Sequence, residues 1–98
     1  MEHQLRVYRL KPGRMADFLA LFRDHIVPAR RACGFEVMSA YVNRQTEEFA
    51  WVVRYTGDDA FAVGDERYYA SPERAAAPWD PREALDAVEL RMFEPYDP

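Results

Sequence analysis

Residues Gln4 to Leu10 alternate in character, with Leu5 and Val7 on one side and Arg6 and Tyr8 on the other, the period of a half-buried strand. Lys11-Pro12-Gly13 interrupts it. Met15, Phe18, Leu19, Phe22 and Ile26 then recur at three- and four-residue spacing, which predicts an amphipathic helix starting near Gly13. Pro28 lacks an N–H and disfavours the helical region at Val27, so a kink or break is expected there, with Gly34 as the stop.

Phe35 to Asn43 and Phe49 to Thr56 are rich in Val, Phe, Tyr and Trp and flank the polar stretch Arg44–Glu48, the pattern of a hairpin. In the second run Phe49, Trp51, Val53 and Tyr55 share one face and Ala50, Val52 and Arg54 the other. Both faces carry apolar groups, so the strand is expected to be central. Thr56-Gly57-Asp58-Asp59 offers turn and N-cap chemistry for a helix from Ala60 through Tyr69, and Ser71-Pro72-Glu73 starts a further helical turn. Ala77 to Pro81 is read as a loop. Ala84 to Phe93 alternates again, with Val88, Leu90 and Met92 opposite Glu89, Arg91 and Phe93.

Strand, helix, strand, strand, helix, strand is the ferredoxin-like βαββαβ plan, an α+β fold with both helices on one face of a four-stranded antiparallel sheet. If Leu5, Val7, Val88, Leu90 and Met92 face the helices, the bare face carries Arg6, Tyr8, Glu89, Arg91 and Phe93, with either Trp51 and Tyr55 or Val52 and Arg54. A sheet face bearing such aromatics is costly to leave in water. Two copies packed sheet to sheet would form a dimeric α/β barrel, each contributing the same patch. Arg6 and Arg91 would then need partners, and Glu89 is the nearest candidate.

The segments Leu5-Arg-Val-Tyr-Arg-Leu-Lys-Pro-Gly13, Phe18-Leu-Ala-Leu-Phe22 and Val53-Arg54-Tyr55 resemble the NIPSNAP-like family of the dimeric α/β barrel superfamily, over about residues 4 to 93. Family members usually carry Trp just before Arg-Tyr. Here Val53 stands at that position and Trp51 lies two residues earlier on the same face. The resemblance implies the fold and a homodimer; relatives by fold include cofactor-independent monooxygenases, haem-degrading enzymes, polyketide cyclases and binding proteins, among which fold alone does not choose.

Composition narrows the field. The 98 residues leave room for one domain, and at this size the single core is thin, which again favours an oligomer. Thirteen Lys and Arg against seventeen Asp and Glu give a net charge of -4, which argues against nucleic acid as a partner. No apolar run is long enough to span a membrane, and the lone Cys33 cannot form an internal disulfide, so a cytoplasmic protein is expected. Cys33 is read as a small hydrophobe.

No phosphate loop, dinucleotide fingerprint, nucleophile elbow or metal-ligand spacing is present, so no cofactor and no metal are expected. The candidate chemistry is an arginine–phenol cluster. Arg6, Tyr8 and Arg91, with Glu89, could hold a carboxylate, phenolate or enolate and stabilise negative charge in a water-poor cavity, or they could be salt bridges of the barrel seam. His25 could reach a cavity mouth as acid, base or ligand, or face solvent. Trp51, Tyr41, Phe49 and Trp79 could sandwich a flat apolar ligand, with Arg54, Tyr55 and Phe93 nearby, or they could be interface packing. Tyr68 and Tyr69 are adjacent on a helix, so at most one is expected in the cavity.

The expected function is that of a small cofactor-independent enzyme acting on an aromatic or polyketide-like molecule by oxygenation, cyclisation or isomerisation. The alternatives are a non-catalytic binding or accessory protein, a haem-binding relative using His25, and an interaction module whose aromatic face serves the dimer alone.

Overall fold

The computed structural model describes residues 2–98. Strand β1 (His3–Leu10) leads into helix α1 (Met15–Leu21), a π-helical turn (Phe22–Ile26) and helix α2 (Val27–Ala32). Strands β2 (Phe35–Asn43) and β3 (Glu48–Tyr55) form the hairpin. Helices α3 (Phe61–Tyr69) and α4 (Pro72–Ala75), a 3-10 turn (Pro81–Ala84) and strand β4 (Leu85–Phe93) complete the chain. The sheet order is β2-β3-β1-β4, all antiparallel. This is the ferredoxin-like arrangement, with β1 and β3 central and the helices on one face.

The helix does not break at Pro28. The chain stays helical from Met15 to Ala32, and the accommodation lies upstream, where the Val27 N–H reaches back five residues to the Phe22 carbonyl. A straight α-helix would press the Pro28 ring against the Asp24 carbonyl; the wider turn ends just before it. Gly34, at φ 87°, then reverses the chain into β2, where the left-handed region favours glycine.

The turn at the start of α3 differs from expectation. Its N-cap is Ala60, without a side-chain cap. Asp59 is spent elsewhere, accepting from the Tyr55 hydroxyl at 2.5 Å and from Arg67. Ser71 does cap α4, accepting from the Arg74 N–H, and Asp80 caps the 3-10 turn through the Arg82 N–H.

The faces of β4 lie as the alternation implies, and β3, whose orientation the alternation leaves open, turns Trp51 and Tyr55 toward the helices, but β1 is inverted. Arg6 stands opposite Trp51 on one side and Leu90 on the other, and Tyr8 opposite Phe49 and Val88. Residues paired across strands share a face, so Arg6 and Tyr8 point toward the helices with Phe49, Trp51, Val53 and Tyr55. Leu5 and Val7 lie on the open face with Val52, Arg54, Glu89, Arg91 and Phe93. The large aromatic face of β3 decides the matter. It fills the core against Phe18 and Phe22, and the Tyr8 ring completes that packing, edge-on to Phe18 at 5.7 Å. The phenol brings more apolar area into the core than Val7 would.

Candidate functional site

One cavity stands out on the helix side of the sheet, about 270 Å³ in volume. Its floor is Arg6, Tyr8, Trp51, Val88 and Leu90; its walls come from Ile26 and Arg30, from Tyr68, Tyr69 and Arg74, and from Pro81, Arg82 and Leu85 of the closing segment. The lining is mostly apolar, with four arginines and three tyrosines set into it.

The π-helical turn determines which side chains of the long helix reach this cavity. Phe18, Phe22, Ile26 and Arg30 are spaced by four residues and are all buried. In an unbroken α-helix, at about 100° per residue, Arg30 would lie about 120° from Phe18, while His25 would fall within about 20° of it. One additional residue in the turn rotates the helix beyond it, bringing Ile26 and Arg30 inward and leaving His25 outside. His25 is accordingly exposed and does not line this cavity; it borders a surface hollow with Asp24, Pro78 and Trp79 and a narrow gap behind Tyr68, Arg74 and Pro81. Such turns often occur at functional sites.

Arg6 is 5 % exposed and bonded to neutral oxygens. Its Nε donates to the Tyr8 hydroxyl at 2.6 Å, one terminal nitrogen to Gln4 Oε1 at 2.7 Å and the other to the Tyr69 hydroxyl at 2.9 Å. A guanidinium carries five N–H donors, and three are used. Among the described residues no carboxylate pairs with it. Burial opposes its charge, but the Tyr8 and Tyr69 oxygens outweigh that and hold its pKa above the ordinary arginine value. Burial also pushes the Tyr8 phenol up, against the pull of Arg6, so it is a neutral donor at pH 7. Since both phenols accept from Arg6, their own protons remain to be donated.

The other arginines differ in how they are committed. Arg30, 1 % exposed, is paired with Asp65 at 2.6 Å and lies against the Tyr68 ring at 3.9 Å. Its Nε, like Trp51 Nε1, is buried without a hydrogen-bond partner. Arg82 binds Asp80 through Nε and a terminal nitrogen at 2.8–3.1 Å, and this pairing holds the Asp80 carboxyl far below the usual range. Arg74 makes a single long contact to the same carboxylate, at 3.4 Å.

The expected cluster therefore divides. Arg6 and Tyr8 enter the cavity; Glu89 and Arg91 pair with each other on the opposite face, so Glu89 is not the partner of Arg6. Of the expected ligand-contacting residues only Trp51 lines the cavity. Tyr55 packs on Phe35 and reaches Asp59, Arg54 pairs with Glu36, and Tyr41 and Phe93 are exposed on the open face. Phe49 is core, and Trp79 lies beside Arg14 away from the cavity. Tyr68 and Tyr69 both reach the cavity, which corrects the expectation of at most one: Tyr68 faces inward, and half-exposed Tyr69 swings across to Arg6.

Sequence pattern alone does not mark Arg30, Arg74, Tyr68 and Tyr69 as a group lining one cavity. A signal for Arg30 exists in the four-residue spacing from Phe18, longer than the 3.6 of an α-helix. The haem alternative through His25 loses its ligand, since neither a histidine nor a cysteine is among the lining residues.

Solved structures share this architecture. An uncharacterised NIPSNAP domain protein from Burkholderia xenovorans superposes with a TM-score of 0.78 at 22% identity, the match covering 98% of this chain and 95% of that one. A NIPSNAP family protein of unknown function from Agrobacterium tumefaciens gives 0.82 at 20%, covering 97% and 87%. A putative antibiotic biosynthesis monooxygenase from Bacteroides thetaiotaomicron gives 0.76 at 16%, covering 99% and 90%. At these identities the likeness shows the fold. No curated protein sequence matches the chain. The NIPSNAP family model matches residues 1–73, from β1 through the start of α4 and including Arg6, Tyr8, Arg30, Trp51, Tyr68 and Tyr69; the chain belongs to the NIPSNAP family.

Proposed function

We propose that the cavity is the active site of a cofactor-independent enzyme that binds a flat, oxygen-bearing organic molecule and stabilises it as an enolate or phenolate. The observation that carries this reading is an excess of unspent donors on a buried wall. Arg6 has two N–H groups without a protein partner, and Tyr8 and Tyr69 each have an O–H left to donate. Buried donors left unsatisfied cost free energy, and a ligand rich in acceptors relieves that cost. The rings of Trp51, Tyr8 and Tyr68 and the side chains of Ile26, Val88 and Leu90 suit a planar apolar body.

In the reaction, the ligand oxygen lies against Arg6 and the Tyr8 hydroxyl, which donate to it more strongly as it gains charge. The proton released passes to water at the open side of the cavity. Its return at another carbon gives an isomerisation, and attack of the enolate carbon on a carbonyl of the same molecule gives a cyclisation. Both are redox-neutral. Oxygenation at the same site would require dioxygen as co-reactant. A non-catalytic binding protein is the second reading, favoured by a lining that lacks a carboxylate or histidine to serve as base.

The open face supports a homodimer in this reading. Leu5, Val7, Ala50 and Val52 form its centre, with Tyr41 and Phe93 exposed and the pairs Glu36–Arg54 and Glu89–Arg91 alongside.

The test is the ionisation of 2-naphthol bound to the protein, followed by the absorbance of the naphtholate. Binding should lower its apparent pKa by about one unit or more, the effect of a nearby cation on an acid. Arg6→Gln should abolish the shift while Arg6→Lys retains part of it. A bound naphthol with an unshifted pKa would refute the anion-stabilising role, and equal shifts in the wild type and Arg6→Gln would refute the assignment to Arg6.

A further inference from the structure

The charge balance around the cavity narrows the ligand further, in a step that rests on the reading just given. Four arginines line it, while the carboxylates bonded to them are Asp65 and Asp80. Asp65 is committed to Arg30. Asp80 is committed to Arg82 and to the cap of the 3-10 turn. A chain with a net charge of -4 thus concentrates two incompletely compensated cations, Arg6 and Arg74, at one cavity.

Arg74 is the more unusual of the two. Its side chain is 15% exposed, so much of its hydration has been removed. In exchange it has one contact of 3.4 Å to a carboxylate already engaged at shorter range and a position 5.7 Å from the centre of the Tyr69 ring. The same Tyr69 accepts from Arg6 through its hydroxyl, so Tyr69 separates the two cations. A largely desolvated guanidinium with most of its donors unspent is a poor structural element and a good carboxylate receptor.

We propose that the ligand is an organic acid with a second, ionisable oxygen: Arg74 holds its carboxylate, while Arg6 and Tyr8 hold the enolic or phenolic oxygen on the other side of Tyr69. The two charges of the ligand neutralise the two surplus cations. The apolar lining between them takes the hydrocarbon body. Arg74 acts as a specificity-determining group and takes no part in the proton movement at Arg6.

Calorimetric titration with 2-naphthol, 6-hydroxy-2-naphthoate and 1-hydroxy-2-naphthoate tests this, the two acids presenting long and short separations of carboxylate and hydroxyl. At least one acid should bind the wild type about tenfold or more tightly than 2-naphthol, the scale of one charge-assisted hydrogen-bonded pair. Arg74→Gln should bring that ratio close to one, and Arg74→Lys should restore part of it. Far-ultraviolet circular dichroism checks that each variant is folded. The proposal is overturned if neither acid exceeds 2-naphthol, or if Arg74→Gln leaves the preference intact; in either case the pKa shift of bound 2-naphthol still decides the anion site independently. If none of the three binds, the cavity reading falls and this one with it.

Discussion

Tyr8 illustrates how one residue serves both packing and hydrogen bonding. Its ring closes the aromatic core between Phe18, Phe49 and Trp51, and its oxygen accepts from the buried Arg6. Tyr8→Phe keeps the ring and removes the acceptor, so the variant should be about 2 kcal/mol less stable at pH 7, the usual cost of losing a buried hydrogen bond to a charge. The pH dependence has a defined sign. The folded-state pKa of Tyr8 is raised, so the native state holds this proton more tightly than the unfolded chain does. That contribution is complete below the ordinary phenol value of about 10 and is lost as pH rises through the folded value. Urea unfolding between pH 7 and 11 should therefore show the gap between wild type and Tyr8→Phe narrowing above about pH 10. A constant gap would mean that the phenol is not held protonated by burial.

The side of β1 on which Arg6 and Tyr8 lie is beyond local reading. The strand is amphipathic both ways, with Leu5 and Val7 competing against a phenol and a long guanidinium stem, and only the register to Trp51 decides. Residue type points to the chemistry of Arg6 and Tyr8; their grouping with Glu89 and Arg91 fails because that register is invisible in the sequence.

At the scale of elements, periodicity is sufficient for the order and nearly the bounds of the strands, since alternation and the Lys11-Pro12-Gly13, Arg44–Glu48 and Ala77–Pro81 breaks are local signals. The π-helical turn is not legible in this way. Pro28 warns of a disturbance, but the chain places it upstream and without a break. The turn behaves as a helix carrying one spare residue. Deleting exposed Arg23 in a Pro28→Ala background should therefore give a continuous α-helix in which Ile26 and Arg30 keep their inward positions, with a loss of stability of about 1–2 kcal/mol. Inserting an alanine after Arg23 in the same background should cost several kcal/mol, because it rotates Arg30 away from Asp65 and Tyr68. Denaturant midpoints of the two variants decide between a spare residue and a register that tolerates no change.

The whole molecule measures 39 × 38 × 18 Å, a slab one sheet and one helix layer thick. The open face gives the dimer expectation its physical content: side chains on half of each strand have no second layer from their own chain. Val52→Glu places a carboxylate at the centre of that face and should convert a dimer to a monomer at micromolar concentration, measured by sedimentation equilibrium, with the fold retained. A monomeric wild type would dismiss the sheet-to-sheet assembly. The expectation of an uncovered face comes from sequence, whereas its composition does not, since the inversion of β1 exchanges Arg6 and Tyr8 for Leu5 and Val7 and makes the face more apolar than the alternation suggests.

The alternation along β1 has a thermodynamic corollary. Arg6 and Tyr8 line the cavity while Leu5 and Val7, their immediate neighbours, lie on the open face, so a single backbone is the whole partition between the proposed ligand and the proposed second subunit. Any displacement of that strand is felt on both sides. If the ligand binds the dimer more tightly than the monomer, it must strengthen the dimer by the same factor, and occupancy of the cavity becomes a term in the assembly equilibrium.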